Sequence, residues 1–291
     1  MKKIIKVIYG IIPFKKWLFL FLKTFWSPPK TIYQHLHFKD TFTVTLNPKK
    51  YFRIKHYGYE IENEIFWNGI FNGWEKESMK IWAALSEKSN FILDIGANTG
   101  VYSLVAKSMN PAAEVFAFEP VNRVYKKLVA NAEINSYDIK CYEKAVSNTD
   151  GEAVIYDLPT EHTLSVSVNQ DLTPTNTTSI PTKIETITLS SFIMENNLTE
   201  IDLIKIDVET HESEVIEGFG DLIFDMQPTL LIEILNDEIA QSIEEKIAKI
   251  GYLYFNIDEN NGIRRTQHLS KSDFYNFLIC KESIAIDLNL I

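Results

Sequence analysis

Asp207, Glu209 and His211 follow one another directly after the apolar run Ile201-Asp-Leu-Ile-Lys-Ile206. Two carboxylates and an imidazole at the end of a strand can do three kinds of chemistry. His211 or Asp207 can take the proton of an acceptor hydroxyl, and imidazole has a pKa suited to that work at neutral pH. Asp207 with Glu209 or Glu233 can hold a magnesium-like ion that acidifies the hydroxyl. The acids can also pin the strand end and a cationic cofactor amine. Lys205 lies two residues before Asp207, so it shares that face of the strand and offers a compensating charge.

A second constellation lies upstream. Phe91-Ile-Leu-Asp94 is an apolar strand that runs into Gly96-Ala97-Asn98-Thr99-Gly100, and Val115-Phe-Ala-Phe-Glu119-Pro120 is a second apolar run ending in an acid. A helix-length connection separates the two, which makes a βαβ unit with its ligand at the carboxyl ends of the strands. Glu119 is placed to accept hydrogen bonds from both hydroxyls of a ribose. Dinucleotide turns read G-x-G-x-x-G because pyrophosphate presses on the backbone at the second glycine. Here that position is Asn98. A cofactor without phosphates, S-adenosylmethionine, needs instead an acid such as Asp94 near its charged end, so it is the cofactor expected. An NAD-dependent oxidoreductase on a Rossmann-like sheet is the rival reading, and the absence of G-x-x-x-x-G-K-[ST] counts against nucleotide hydrolysis.

These motifs need a sheet to hold them. Further strands are expected at Ile139–Val146, Ile201–Val208, Pro228–Leu235, Tyr252–Ile257 and Phe274–Cys280. The first five of the seven are near-continuous apolar runs separated by helix-length segments, as in a parallel sheet covered on both faces. The last two have no long helix between them and are expected to pair antiparallel at one edge. The fold class is therefore α/β: a doubly wound, mostly parallel seven-stranded sheet of the class I methyltransferase type, with an antiparallel terminal hairpin and a small N-terminal α+β extension. Three segments follow: residues 1–29, basic and apolar; 30–90, an extension and cap; and 91–291, the cofactor-binding domain. In the cap, short strands at Phe42–Leu46 and Tyr51–Tyr57 precede a helix near Glu75–Ala84. Trp74 and Glu75 either face the cofactor or simply start that helix with a favourable acid. His35 and His37 alternate on one face but lack a third ligand, and no metal site is assigned.

The run Asp94-Ile-Gly-Ala-Asn-Thr-Gly100, then Phe118-Glu-Pro120, Ala145-Val146-Ser147 and Asp202-Leu-Ile-Lys-Ile-Asp-Val-Glu209 resembles the FkbM-type S-adenosylmethionine-dependent methyltransferases. The likeness extends from about Phe71, with Gly73-Trp-Glu75, to Lys281, with the motifs in the family's order. It implies O-methylation of a hydroxyl on a sugar or related metabolite. The residues of these motifs and of the strand ends make up the candidate cofactor site, Asp94, Gly96, Ala97, Asn98, Thr99, Gly100, Glu119, Pro120, Ala145, Val146, Asp207 and Glu75, with Asp207, His211, Glu209 and Lys205 expected at the chemistry from their types and position. One departure stands out. The family usually has glycine after Asp-x-Glu, whereas this chain has Thr210 and then His211, which leaves an inactive cofactor-binding scaffold as a further reading.

The composition, 45% hydrophobic and 12% aromatic over 291 residues, suits a packed enzyme. A net charge of −10 argues against a nucleic-acid partner and leaves small-molecule or glycan acceptors. Cys141 and Cys280 fall within strands and read as core residues. The charge is uneven: residues 1–40 hold eight lysines and one acid, leaving 21 basic against 38 acidic residues beyond them. Residues 1–26, with six lysines and several aromatics, are interrupted at Gly10, Pro13 and Lys15-Lys16. They are too broken to span a bilayer and either lie on an anionic membrane surface or pack on the domain or on a second copy. A cytoplasmic protein, peripheral at the inner face of the membrane, is the expectation. The hydroxyl-rich stretch 157–181 reads as a substrate-side lid or a surface hairpin.

Overall fold

A computed structural model describes residues 14–157 and 180–291. The start of the basic segment and most of the 157–181 stretch lie outside the described residues. The chain divides into two compact units, 1–74 and 75–291, where the sequence reading drew its boundaries after residues 29 and 90. Among the described residues no helix is long and apolar enough to cross a membrane.

The first unit holds helices α1 (Lys15–Lys23) and α2 (Lys30–Tyr33), the hairpin β1 (Thr41–Asn47) and β2 (Lys50–Lys55), and α3 (Glu60–Asn68). Alternate residues Phe42 and Val44 of β1 and Phe52 and Ile54 of β2 are buried, the period-two pattern of a sheet with one face covered. Phe19, Phe38, Phe66 and Trp67 complete an aromatic core, with Phe38 and Phe66 edge to face at 4.8 Å.

The second unit opens with α4 (Lys76–Ser86) and then alternates strand and helix: β3 (Phe91–Ile95), α5 (Val101–Met109), β4 (Glu114–Phe118), α6 (Asn122–Glu133) and β5 (Ile139–Tyr142). After β6 (Ala145–Val146), β7 (Gly151–Asp157), β8 (Ile180–Ile187) and α7 (Leu189–Glu195), the chain crosses to β9 (Leu203–Ile206), α8 (Glu212–Phe219), α9 (Leu222–Met226) and β10 (Thr229–Glu233). It ends with α10 (Asp237–Ile247), β11 (Leu253–Asp258), β12 (Gly262–Thr266), β13 (Asn276–Cys280) and α11 (Glu282–Asp287).

The main sheet runs β12-β11-β13-β10-β9-β3-β4-β5. β3, β4, β5, β9 and β10 are mutually parallel, and β13 is antiparallel to both neighbours. The order reverses between β3 and β9, and the motifs stand at the carboxyl ends on either side of that switch point. β9, β13 and nearly all of β3 and β10 are buried, which is why their sequences are almost unbroken apolar runs. Cys141 and Cys280 are free thiols on β5 and β13.

Two expectations need correction. Ile139–Val146 is two strands: β5 ends the main sheet, and β6 pairs instead with β8 in a three-stranded sheet completed by β7. The polar pair Glu143-Lys144 bends the chain there and carries Val146 into the main core. At the far end the sheet has eight strands, because the polar Gly262–Thr266 segment folds back on β11 as an outer edge and β13 inserts between β11 and β10. Exposed Arg264 and Arg265 on that strand fit an edge position.

Candidate functional site

The glycine turn after β3 is held by its neighbours rather than by itself. Gly96 and Ala97 both donate their N–H to Phe118 O at the end of β4, at 3.0 and 2.9 Å. Gly96 has φ +79°, and a Cβ there would lie 1.8 Å from the backbone oxygen of Asp207. Gly100, φ +89°, opens α5 against Leu128 of α6. Between them Asn98 also adopts a left-handed conformation, and its buried Oδ1 has no hydrogen-bond partner. Thr99 accepts at its backbone oxygen from Asn131 Nδ2 at 2.8 Å.

The two strand-end acids are built into this turn. Asp94 Oδ2 accepts from the N–H and the hydroxyl of Ser103, at 2.9 and 2.5 Å, and burial pushes its carboxyl up to about 6. Glu119 Oε2 accepts from Asn98 N at 3.1 Å and Oε1 from Val121 N at 2.9 Å. Glu119 thus straps the end of β4 to the turn, and burial raises its pKa to about 7. Its carboxylate oxygens retain lone pairs for further donors. Pro120 follows it, and Ala145 and Val146 form β6, immediately before Ser147.

Across the switch point a largely buried ionic cluster surrounds Lys205, which pairs with Asp94 in the β3–β9 register. Lys205 Nζ stands 3.3 Å from Asp207 Oδ2 and 5.1 Å from the centre of the Tyr102 ring. Burial pulls the lysine's pKa down, but Asp207, Glu75, Glu233 and Asp94 together raise it above its ordinary value. Glu75 caps α4 with a left-handed backbone and accepts from the Tyr102 hydroxyl at 2.5 Å. Burial lifts Glu75 to about 7, and burial with the Asp207 charge lifts Glu233, at the end of β10, to about 9. Four acids crowd one lysine, and the raised pKa values of Glu75, Asp94 and Glu233 show that burial and mutual repulsion oppose full ionisation; a cation placed among them would favour their charged forms.

The segment after Asp207 turns back through two consecutive left-handed residues, Glu209 (φ 53°) and Thr210 (φ 78°). Glu212, fully buried at the start of α8, holds this turn: its Oε1 accepts from Val208 N at 3.1 Å and Thr210 N at 3.3 Å. Its Oε2 is buried without a partner. A β-branched side chain is poorly suited to this φ, so Thr210 carries strain that glycine would not. Thr210→Gly is expected to raise the unfolding free energy by about 1 kcal/mol, the relieved strain exceeding the added chain entropy of glycine. Chemical denaturation checks this, and an unchanged or lowered midpoint would sink it.

His211 is the residue just before α8. Its Nε2 lies 3.0 Å from Ser147 Oγ, and its Nδ1 lies 3.6 Å from Glu214 Oε2. Burial lowers its pKa and Glu214 partly opposes this. Ser147 stood in the sequence only as the end of the Ala145-Val146-Ser147 run, and Tyr102, Glu212 and Glu214 were not singled out. Of these last three, only Glu212 and Glu214 left a signal there, as acids in the first turn of a helix. Among the described residues no three His, Cys, Asp or Glu side chains converge as a metal-ligand set.

The matches to known proteins agree with this geometry. The model of the methyltransferase FkbM domain matches residues 94–254. Methyltransferase 1 of Beauveria bassiana is 22% identical over 70% of this chain and 83% of its own. The hexuronic acid methyltransferase AglP of Haloferax volcanii is 23% identical over 50% of this chain and 56% of its own. The 2-O-methyltransferase NoeI of Sinorhizobium fredii is 31% identical over 49% of this chain and 63% of its own. With its glycine turn, its strand-end acids and more than half of its length matched by that domain, the chain belongs to the FkbM methyltransferase family and is an S-adenosylmethionine-dependent methyltransferase.

Proposed function

We propose that the enzyme methylates a hydroxyl of a saccharide or related metabolite, with the cofactor held at the glycine turn between β3 and α5 and the acceptor proton taken at the end of β9. The observation that carries this reading is the meeting, at one edge of the sheet, of a Glu119-strapped glycine turn with an acid cluster that Lys205 only partly neutralises. The names of two relatives, a hexuronic acid methyltransferase and a 2-O-methyltransferase, support a sugar hydroxyl as acceptor.

The residues present suit the cofactor. Glu119 supplies free lone pairs to ribose hydroxyls, the unpartnered Asn98 Oδ1 awaits a donor, and the acid-rich cluster favours positive charge. When bound, S-adenosylmethionine supplies a sulfonium methyl group open to in-line attack. The chain's own contribution is alignment of the acceptor oxygen, which accounts for a large share of the rate enhancement, and removal of its proton. His211 accepts that proton at Nε2, with Glu214 on the Nδ1 side stabilising the imidazolium. Asp207, half-buried beside Lys205, is the second base candidate.

Glu119→Ala is expected to weaken S-adenosylmethionine binding by more than about tenfold, or 1.4 kcal/mol, because the ribose loses a charged acceptor and the turn loses its strap. Calorimetry with the cofactor checks this, and undiminished affinity would remove Glu119 from the site. The acceptor is tested by incubating the enzyme with methyl-labelled S-adenosylmethionine and a glycan extract of its native host. Label is expected in an O-methyl sugar. Label confined to protein, nucleic acid or amine products would overturn the saccharide reading.

A further inference from the structure

We propose that α1 and its flanking aromatics form a docking face for an anionic lipid bilayer. The helix is anchored to the first unit by one side only. Phe19 is 3% exposed and packs against Phe38 and Trp67, with ring centres at 6.3 and 5.5 Å. Lys23 donates to the backbone oxygen of Phe66 and stands over that ring. The opposite side faces outward. Trp17 and Phe21, one helical turn apart, are 65% and 62% exposed, and Leu18 lies between them in the same stripe. Phe14 before the helix and Phe25 after it are 77% and 66% exposed, and the Phe25 ring meets Phe21 edge to face at 5.2 Å. An apolar stripe of this kind on a protein surface marks a binding face.

The chemistry of the stripe selects the occupant. Tryptophan and phenylalanine are the side chains that settle at the boundary of headgroups and acyl chains. They sit within residues 1–40, which hold eight lysines and one acid, a charge complementary to anionic headgroups. A second copy is a poorer fit, because a symmetric contact through this face would set two basic segments against each other. No bilayer span is needed for such contact: a short helix lying flat buries its apolar stripe at the interface, and the lysines add a salt-sensitive attraction.

The test is co-sedimentation of the full-length protein with vesicles of phosphatidylcholine alone or mixed with phosphatidylglycerol. The expected result is binding to the mixed vesicles at low salt, release at high salt, and loss of affinity by at least about tenfold in Trp17→Glu/Phe21→Glu. Phe14→Ala/Phe25→Ala, which removes no buried contact of the helix, is expected to weaken binding in the same direction. Cofactor affinity should stay at the wild-type value in both variants. Full-length protein that ignores the mixed vesicles, or variants that bind as well as the wild type, would overturn the proposal. So would light scattering that shows a wild-type dimer converted to monomer by Trp17→Glu/Phe21→Glu with no vesicle binding, which would make the face a contact between copies.

Discussion

Gly96→Val is expected to abolish cofactor binding and to destabilise the domain by about 3 kcal/mol or more. The reason is geometric. A Cβ at this position falls 1.8 Å from the backbone oxygen of Asp207, and the residue's φ of +79° is strained for any side chain. That oxygen cannot swing aside cheaply, because Asp207 N–H donates to Ile95 O at 3.0 Å and ties the end of β9 to β3. Relief of the clash therefore pushes apart the two strand ends that carry the glycine turn and the acid cluster. The effect belongs to the Cβ itself, so Gly96→Ala should fail for the same reason, with valine worse. Thermal unfolding and calorimetry with S-adenosylmethionine check both variants. Normal melting with normal affinity would mean that the turn does not pack on Asp207 as described.

His211→Ala is expected to lower turnover by about a hundredfold while leaving cofactor affinity unchanged, the signature of a lost general base. The pH dependence has a definite sign. Burial depresses the imidazole pKa below its ordinary 6.5, so the ring is neutral and able to accept a proton at neutral pH. The wild-type rate should hold to slightly acid pH and then fall as the pH drops through the depressed pKa. The variant should lose that acid limb. Ser147→Ala, which removes the hydroxyl at 3.0 Å from Nε2, should shift the limb without the full loss of rate. A stronger defect in Asp207→Asn than in His211→Ala, with unchanged pH dependence in the latter, would move the base to Asp207. Activity abolished by chelator would show instead that a divalent ion acidifies the acceptor. A fully active His211→Ala enzyme would remove His211 from proton transfer.

Strand placement and the cofactor turn were legible in the sequence for local reasons. A strand buried on both faces must be apolar at nearly every position, so Phe91–Ile95, Leu203–Ile206 and Thr229–Glu233 announce themselves. Three residues of the turn are left-handed, and glycine or asparagine is the residue type that adopts this conformation most readily, so Gly96, Asn98 and Gly100 mark it. The break at Glu143-Lys144 was equally local, yet a run of eight residues with one polar pair reads as a single strand until a second sheet competes for its end.

Tertiary structure decided the rest. His211 meets Ser147 across 64 residues, and Glu75 meets Tyr102 across 27. No periodicity records either pairing, because each depends on which helix crosses to which strand edge. Glu119 was legible as an acid at a strand end, but its role in strapping the Asn98 turn appears only when β3 and β4 lie side by side. Thr210 stood out as a departure from glycine, and the fold supplies the physical meaning: a left-handed backbone, held by the buried Glu212, at a corner where a Cβ is strained. The sequence by itself determined that an α/β sheet would present a glycine turn and acids at its carboxyl edge. Which of those acids share one lysine, and how far each is desolvated, follows from burial and register between strands distant in the chain, because charge and solvent exposure are properties of the packed neighbourhood and not of the residue.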